Sequence, residues 1–289
     1  MKVRELLNAS SSYLSEAGVE WSENESRKIF ALACRKSEGE VLIWQALDPE
    51  ISQVAKEAEI SRFKFLLEKR RRRVPLQHLA GRAPFASMDL EVGPGVFIPR
   101  PETEMMSGIV SGFLSKKSRP IMADLCAGSG AVGLEVCRRC RVECFEVEKM
   151  PVPFRFLQKN ISRQRKSFFP GSRSIAVRGD VFLPSTLSFL TGRLECVASN
   201  PPYLSSVFQP EASFDPPQAL FGGGEAGMGF ICRLLPLSYR LLKSGGLCII
   251  EHGSEQSGEV FSLFSRTGFK DVETVKDLSG RDRFTRGVK

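Results

Sequence analysis

The stretch IMADLCAGSGAVGLEVC, Ile121 to Cys137, decides the fold. An apolar run of strand length ends at Asp124 and Leu125, a loop of small residues follows, and apolar residues then recur at helical spacing through Val132 and Val136. The same alternation continues downstream. RVECFEVEK is a second strand ending in acid, SIAVRGDVF a third, RLECVASNPPY a fourth and GGLCIIEHG a fifth, with helical stretches between them. This pattern predicts a mostly parallel α/β sheet with helices on both faces, so that ligands lie beyond the carboxyl ends of the strands. The tail GFKDVETVKDLSGRDRFTRGVK adds two strand-like pieces around a Ser-Gly turn, an antiparallel edge.

Upstream the period changes. From residue 1 to 73 apolar positions recur as on helices, for instance Ile29, Phe30, Ala33 and then Phe63, Leu66, Leu67, with Ser22 and Ser61 placed as N-caps. This predicts a small helical domain over 1–73. Residues 74–102 read as a linker containing a β-hairpin that turns at Gly93, Pro94 and Gly95 and returns through VFIPR, and 103–289 as the catalytic domain.

Composition sets outer limits. With 289 residues, 42% hydrophobic and 26% charged, the chain is long enough for one large and one smaller domain. The opening MKVRELLNAS has no apolar core, and no apolar run approaches the roughly 18 residues of a membrane span, so a cytoplasmic protein is expected. The net charge of +8 permits an acidic or phosphate-bearing partner without demanding one. EKRRRRV, residues 68–74, suits either a solvated helix end or a contact surface. Cys137, Cys140 and Cys144 are closely spaced, but no second ligand pair follows, and core-facing thiols with no metal are expected.

The strand ends carry the chemistry. At the first, Asp124 precedes Cys126, Ala127, Gly128, Ser129 and Gly130, where glycines let the backbone pass close to a ligand. Cys126 stands at the first glycine position of the dinucleotide fingerprint and Gly133 comes too late to complete it, which disfavours a pyrophosphate cradle. About 20 residues on, Glu148 is placed to accept from both ribose hydroxyls, with Glu146 as second choice. At the third end Asp180 and Val181 suit an adenine, whose amino group donates and whose faces want apolar cover. Together they describe a nucleoside site with nothing for a second nucleotide, which fits S-adenosylmethionine better than a dinucleotide.

The fourth strand ends in Asn200-Pro201-Pro202-Tyr203. Two prolines fix φ and donate nothing, so the strand must stop in a rigid corner. The Asn200 carbonyl and the Pro201 carbonyl would be two acceptors beside an activated methyl, the arrangement a planar NH₂ group needs. Bonding both of its hydrogens favours a tetrahedral nitrogen whose lone pair faces the methyl, whether the group is a glutamine amide or adenine. Catalysis would be orientation plus electrostatics, with Tyr203 stacking on the planar substrate group. His78 and His252, neither beside this corner or the glycine loop in sequence, are read as structural.

At this point the chain resembles the N5-glutamine methyltransferases of peptide chain release factors, the PrmC or HemK group. The resemblance rests on RRVPLQHLAGRAPF, GVFIPRPETE, DLCAGSGAVGL, RGDVF, SNPPYL, FDPPQALFGGGEAGMGF and IEHGSEQ, in that order over nearly the whole chain. NPPY alone is shared with adenine-N6 methyltransferases acting on DNA or RNA. IPRPETE after a helical domain is far more specific. The resemblance implies a Rossmann-like class I fold with a seven-stranded sheet. It also implies methyl transfer from S-adenosylmethionine, leaving S-adenosylhomocysteine, to the glutamine of the Gly-Gly-Gln tip of class I release factors, with no obligatory nucleic acid. Family roles fall on Asn200, Pro201, Pro202 and Tyr203 around the glutamine. The cofactor would meet Phe97, the Cys126 to Gly130 loop, Glu148, Asp180 and Val181, while the helical domain grips the release factor. Cys126 with Ala127 departs from the family's Gly-Thr, Glu148 stands where Asp is common, and Val181 is smaller than usual. Competing readings are the adenine-N6 enzyme and a binding protein that kept the fold without turnover.

Overall fold

The computed structural model describes residues 1–205 and 214–289. Contacts divide the chain into Met1–Arg82 and Ala83–Lys289. In the first unit six helices follow one another: α1 (Val3–Ser15), α2 (Ser22–Cys34), α3 (Glu38–Leu47), α4 (Ile51–Val54), α5 (Glu57–Arg71) and α6 (Leu76–Ala80). α1 buries Val3, Leu6, Leu7, Ser10 and Leu14, one stripe at the helical period. Phe30 of α2 meets Phe63 of α5 and Trp44 of α3 edge to face, with ring centroids 5.2 and 6.1 Å apart.

Two details depart from the sequence reading. Ser61 lies inside α5, whose first turn is closed instead by Glu59 accepting from the Lys56 amide at 2.8 Å. Ser22 is the first residue of α2, and its hydroxyl meets Ser11 at 3.1 Å without capping the helix. The arginine run is partly structural. Arg70 is buried in an ion pair with Glu25, and Arg73 donates to the Ala17 carbonyl at 3.2 Å, while Arg71 and Arg72 remain exposed.

Next come β1 (Arg82–Phe85), which begins at the last residue of the first unit, and β2 (Met88–Glu91). The hairpin turns at Ala86 and Ser87, not at Gly93 to Gly95 as the sequence suggested, because Ala86 takes φ +50° and reverses the chain early. Gly93 and Val96 form a separate turn, amide to carbonyl at 3.1 Å. After α7 (Glu104–Leu114) come β3 (Ile121–Leu125), α8 (Ala131–Arg139), β4 (Glu143–Glu148), α9 (Pro151–Gln164), β5 (Arg173–Arg178), α10 (Pro184–Leu187) and β6 (Leu194–Ser199). Then follow α11 (Pro217–Leu220), α12 (Gly229–Leu241), β7 (Leu242–Glu251), α13 (Ser257–Thr267), β8 (Lys270–Lys276) and β9 (Asp282–Val288).

Among the described residues these strands make one seven-stranded sheet in the order β5-β4-β3-β6-β7-β9-β8. β3 to β7 run parallel and β9 lies antiparallel between β7 and β8, the mostly parallel sheet with an antiparallel edge that the sequence predicts. Alternate strand residues serve the two faces. Ala123, Leu125, Val197, Cys248 and Ile250 pack with Leu234, Leu235 and Phe264 of α12 and α13. Met122, Cys196, Ala198, Leu247 and Ile249 pack with Met106, Val110, Val132 and Val136 of α7 and α8. Cys137, Cys140 and Cys144 belong to this second layer as buried thiols. No helix among the described residues is long and apolar enough to cross a membrane.

α8 approaches the sheet so closely that a Cβ on Gly133 would lie 2.7 Å from Glu146 Cδ and 2.9 Å from Cys144 Sγ. Gly133→Ala should therefore cost about 1–3 kcal/mol by overpacking. Gly112→Ala in α7, with nothing within 4 Å of the added carbon, should gain up to about 1 kcal/mol from helix propensity. Urea unfolding of both variants checks this, and equal effects would refute the close-packing account.

Candidate active site

The parallel strands deliver their carboxyl ends to one edge, where a cavity of about 430 Å³ opens. At the end of β3 the buried Asp124 carboxylate accepts from the Gly133 amide at 3.0 Å. Burial is the main influence on this acid, and it pushes the pKa up to about 7. The loop is pinned on several sides. The Ala127 amide bonds the Val147 carbonyl at 3.0 Å, the Gly128 amide bonds Glu148 at 3.0 Å, and Asn160 donates to the Ser129 carbonyl at 2.9 Å. Gly130 has φ +89°, and a Cβ there would fall within 2.9 Å of Leu157, Glu146 and Leu134. Cys126 has φ +67°, a left-handed backbone that costs a side chain roughly 1–2 kcal/mol and glycine almost nothing.

Glu148 ends β4 with both carboxylate oxygens engaged, one by Gly128 and one by the Met150 amide at 2.6 Å. An ionised oxygen has about two acceptor sites, so each keeps capacity toward the cavity. Burial nevertheless raises its pKa above the usual carboxylate value. Glu146 is fully buried beneath α8, outside the cavity, with one oxygen unpartnered and its pKa driven well up by burial. Asp180 behaves oppositely. Its burial pushes upward, but the Phe182 amide at 2.9 Å and the Lys149 ammonium at 3.0 Å outweigh that and hold it below the usual value.

At the end of β6 the corner is fixed mainly through backbone. Tyr203 and Leu204 amides both bond the Leu220 carbonyl, at 3.1 and 2.8 Å, and the Gly222 amide returns to the Leu204 carbonyl at 3.1 Å. Gln256 donates to the Tyr203 and Ala226 carbonyls at 2.7 and 2.6 Å. Gly227 packs so tightly here that a Cβ would sit 2.2 Å from the Tyr203 carbonyl oxygen. Asn200 donates from its side-chain nitrogen to Thr103 Oγ1 at 3.3 Å, and Thr103 donates to Glu251 at 2.8 Å.

Of the residues singled out by sequence, Phe97, Asp124, Cys126, Ala127, Gly128, Ser129, Glu148, Asp180, Val181, Asn200 and Pro202 line this one cavity. Gly130, Pro201 and Tyr203 do not. Gly130 makes the turn beneath the loop, Pro201 is buried, and the Tyr203 hydroxyl points to Glu251 at 3.3 Å. Sequence reasoning missed Thr103, which lies within the quoted IPRPETE motif, and Phe230 with Arg233, which reach the cavity from α12. Arg233 stacks on Phe182 at 3.8 Å from the ring centroid. Phe230 closes the quoted FDPPQALFGGGEAGMGF stretch, whereas only helical periodicity marks Arg233 in sequence.

His252 is buried, its ring nitrogens within 2.8 Å of the Gly253 carbonyl and of Thr285 Oγ1, and His78 is buried in the helical unit. Among the described residues no group of His, Cys, Asp and Glu is arranged to hold a metal ion.

The lining suits an adenosyl sulfonium compound. Its volume is that of a small-molecule site, Asp124, Glu148 and Asp180 put carboxylates on its wall, and Phe97, Val181 and Phe182 supply apolar surface. Residues 5–81 match the PrmC N-terminal domain family. The chain is 34% identical to a release factor glutamine methyltransferase of Bifidobacterium longum, covering 98% of each chain. It is also 34% identical to one of Mycolicibacterium smegmatis over 98% of this chain and 96% of that one. A third from Corynebacterium glutamicum is 40% identical over 77% of this chain and 79% of its own.

A cation placed beside Asp124 favours the ionised acid, so its binding releases a proton wherever Asp124 starts protonated. With that acid near 7, S-adenosylmethionine should bind roughly tenfold tighter at about pH 8 than at about pH 6. Titration calorimetry reads this, and Asp124→Asn should lessen the slope. Wild-type affinity indifferent to pH would show that the carboxylate does not face the ligand.

Proposed function

This chain belongs to the release factor glutamine methyltransferase family, and on that premise we propose that it methylates the side-chain amide nitrogen, N5, of the glutamine in the Gly-Gly-Gln tip of class I peptide chain release factors, supporting translation termination in the cytoplasm. The observation that carries this reading is Asn200. It lines the cavity at the end of β6 with its side-chain nitrogen turned to Thr103, which leaves its carbonyl oxygen for a substrate donor.

The cofactor is S-adenosylmethionine, which supplies an electrophilic methyl and leaves as S-adenosylhomocysteine. The Cys126 to Gly130 loop would hold it, Glu148 would take the ribose, Asp180 and Val181 the adenine, and Phe97 would cover it. The buried Asp124 adds negative charge to this end of the site. The glutamine amide is a poor nucleophile because its lone pair is delocalised into the carbonyl. Asn200 Oδ1, on the cavity wall, accepts one of its hydrogens, and the carbonyl of the buried Pro201 would have to reach the other from behind that wall; together they would orient the nitrogen and favour the geometry in which the lone pair is free. As the nitrogen–methyl bond forms and the methyl–sulfur bond breaks, the nitrogen becomes cationic and then loses one proton to water. Both acceptors stabilise that developing positive charge, and being fixed by the corner they need no reorganisation.

Pro202 supplies wall against the glutamine. Tyr203 acts from behind, through its hydroxyl on Glu251 and its backbone on Leu220. Adenine's amino group would suit the same two acceptors, but relatives that match over both units are named for release factor glutamine. The helical unit, through the stretch that matches the PrmC N-terminal domain, is the part that recognises the release factor away from the chemistry.

Incubation with labelled S-adenosylmethionine should place label on a wild-type release factor and not on one whose Gly-Gly-Gln glutamine is changed. Asn200→Ala should lower kcat by roughly a hundredfold or more while leaving cofactor affinity nearly unchanged, the scale expected for one positioned polar contact. Label on nucleic acid in place of the factor would move the substrate to adenine.

A further inference from the structure

We propose that Thr103 and Glu251 are positioning residues that fix which end of the Asn200 amide faces the reacting glutamine. The proposal rests on the reading above that Asn200 accepts from that glutamine.

The two ends of an asparagine amide have nearly the same size, so shape alone does not choose between them; hydrogen bonds do. Asn200 has its nitrogen 3.3 Å from Thr103 Oγ1. A threonine hydroxyl has a single hydrogen. Thr103 gives it to Glu251 Oε2 at 2.8 Å, in a place where Thr103 is 3% and Glu251 1% exposed, so water does not compete. An ionised carboxylate has only acceptors, so it must take that hydrogen. Thr103 then offers Asn200 nothing but lone pairs, and only the NH₂ end of the amide can answer them. The carbonyl end is left to the cavity. Three segments distant in sequence meet in this chain of bonds: the turn before α7, the end of β7 and the end of β6.

Glu251 is itself held. Tyr203 donates to its other oxygen at 3.3 Å, Arg283 faces it from β9, and Glu102 faces it from the turn before α7. Burial chiefly, with Glu102 adding, raises this acid to about 7, against the opposing effects of Thr103, Arg283 and Tyr203. Once Glu251 takes up a proton at Oε2 it becomes a donor. It can bond the Thr103 oxygen, and the Thr103 hydrogen is released toward Asn200. The amide then turns its carbonyl to Thr103 and its NH₂ to the substrate, where two donors face each other. Turnover should therefore fall as pH drops through the range in which Glu251 protonates.

The test uses the intact protein, S-adenosylmethionine and a purified release factor, with kinetics between about pH 6 and pH 9 for wild type, Thr103→Val, Thr103→Ser and Glu251→Gln. Calorimetric cofactor affinity and melting temperature establish that each variant is folded. Thr103→Val should lower kcat by roughly ten- to a hundredfold with cofactor affinity and the factor's KM within about twofold, and Thr103→Ser should restore kcat to within about threefold. Glu251→Gln cannot titrate, so its kcat should lose the acid fall seen in wild type. An unchanged kcat in Thr103→Val, a loss shared equally by Thr103→Ser, or an acid fall that persists in Glu251→Gln overturns the positioning role. Wild type that leaves the release factor unlabelled overturns the substrate reading instead.

Discussion

Leu125 pairs with Ser199 where β3 and β6 run side by side, and the Ser199 hydroxyl closes the pair on the Leu125 carbonyl. The residue after each strand therefore leaves the sheet at the same level, Cys126 into the loop and Asn200 into the corner. Because side chains alternate along a strand, a slip of one residue would send the buried side chains of β3 and β6 into the opposite, differently shaped layer. The apolar layers on both faces forbid that slip. The distance between the glycine loop and the Asn200 corner is thus set by core packing.

The same burial that secures the register makes the strand ends electrostatically unusual. Asp124, Glu146, Glu148 and Glu251 all end in or near the sheet with little water, and burial raises each of their pKa values. Asp180 escapes because Lys149 and a backbone amide hold its charge. Carboxylates that are costly to ionise alone become favourable beside a cation. A positively charged ligand would therefore find here what water otherwise supplies.

Most of this was legible in the sequence, for identifiable reasons. The strands of a parallel sheet are covered on both faces, so they appear as apolar runs, and the acid or glycine ending each run marks the site edge. Asp124, Glu148, Asp180 and Asn200 were found that way and meet in one cavity. What failed depended on local geometry or on distant partners. The hairpin turns at Ala86 because that residue takes a left-handed backbone, which composition does not announce. Ser61 looked like a cap until Glu59 closed the helix one turn earlier. Tyr203 turns its hydroxyl to Glu251, 48 residues away in sequence, a partner no local pattern announces. Arg233 is one position on an amphipathic helix, and no local pattern says which of its edges meets the cavity.

Two glycines of FGGGEAGMG, Gly222 and Gly227, lie directly on the backbone of the corner. Added side chains would collide with the Pro202 carbonyl oxygen at 2.8 Å from Gly222 and with the Tyr203 carbonyl oxygen at 2.2 Å from Gly227. Main chain braced against main chain has few rotamers to freeze. The disorder that must be given up to align two acceptors on one amide is surrendered when the protein folds, not when the substrate arrives. Such a corner would help the reaction chiefly by sparing activation entropy.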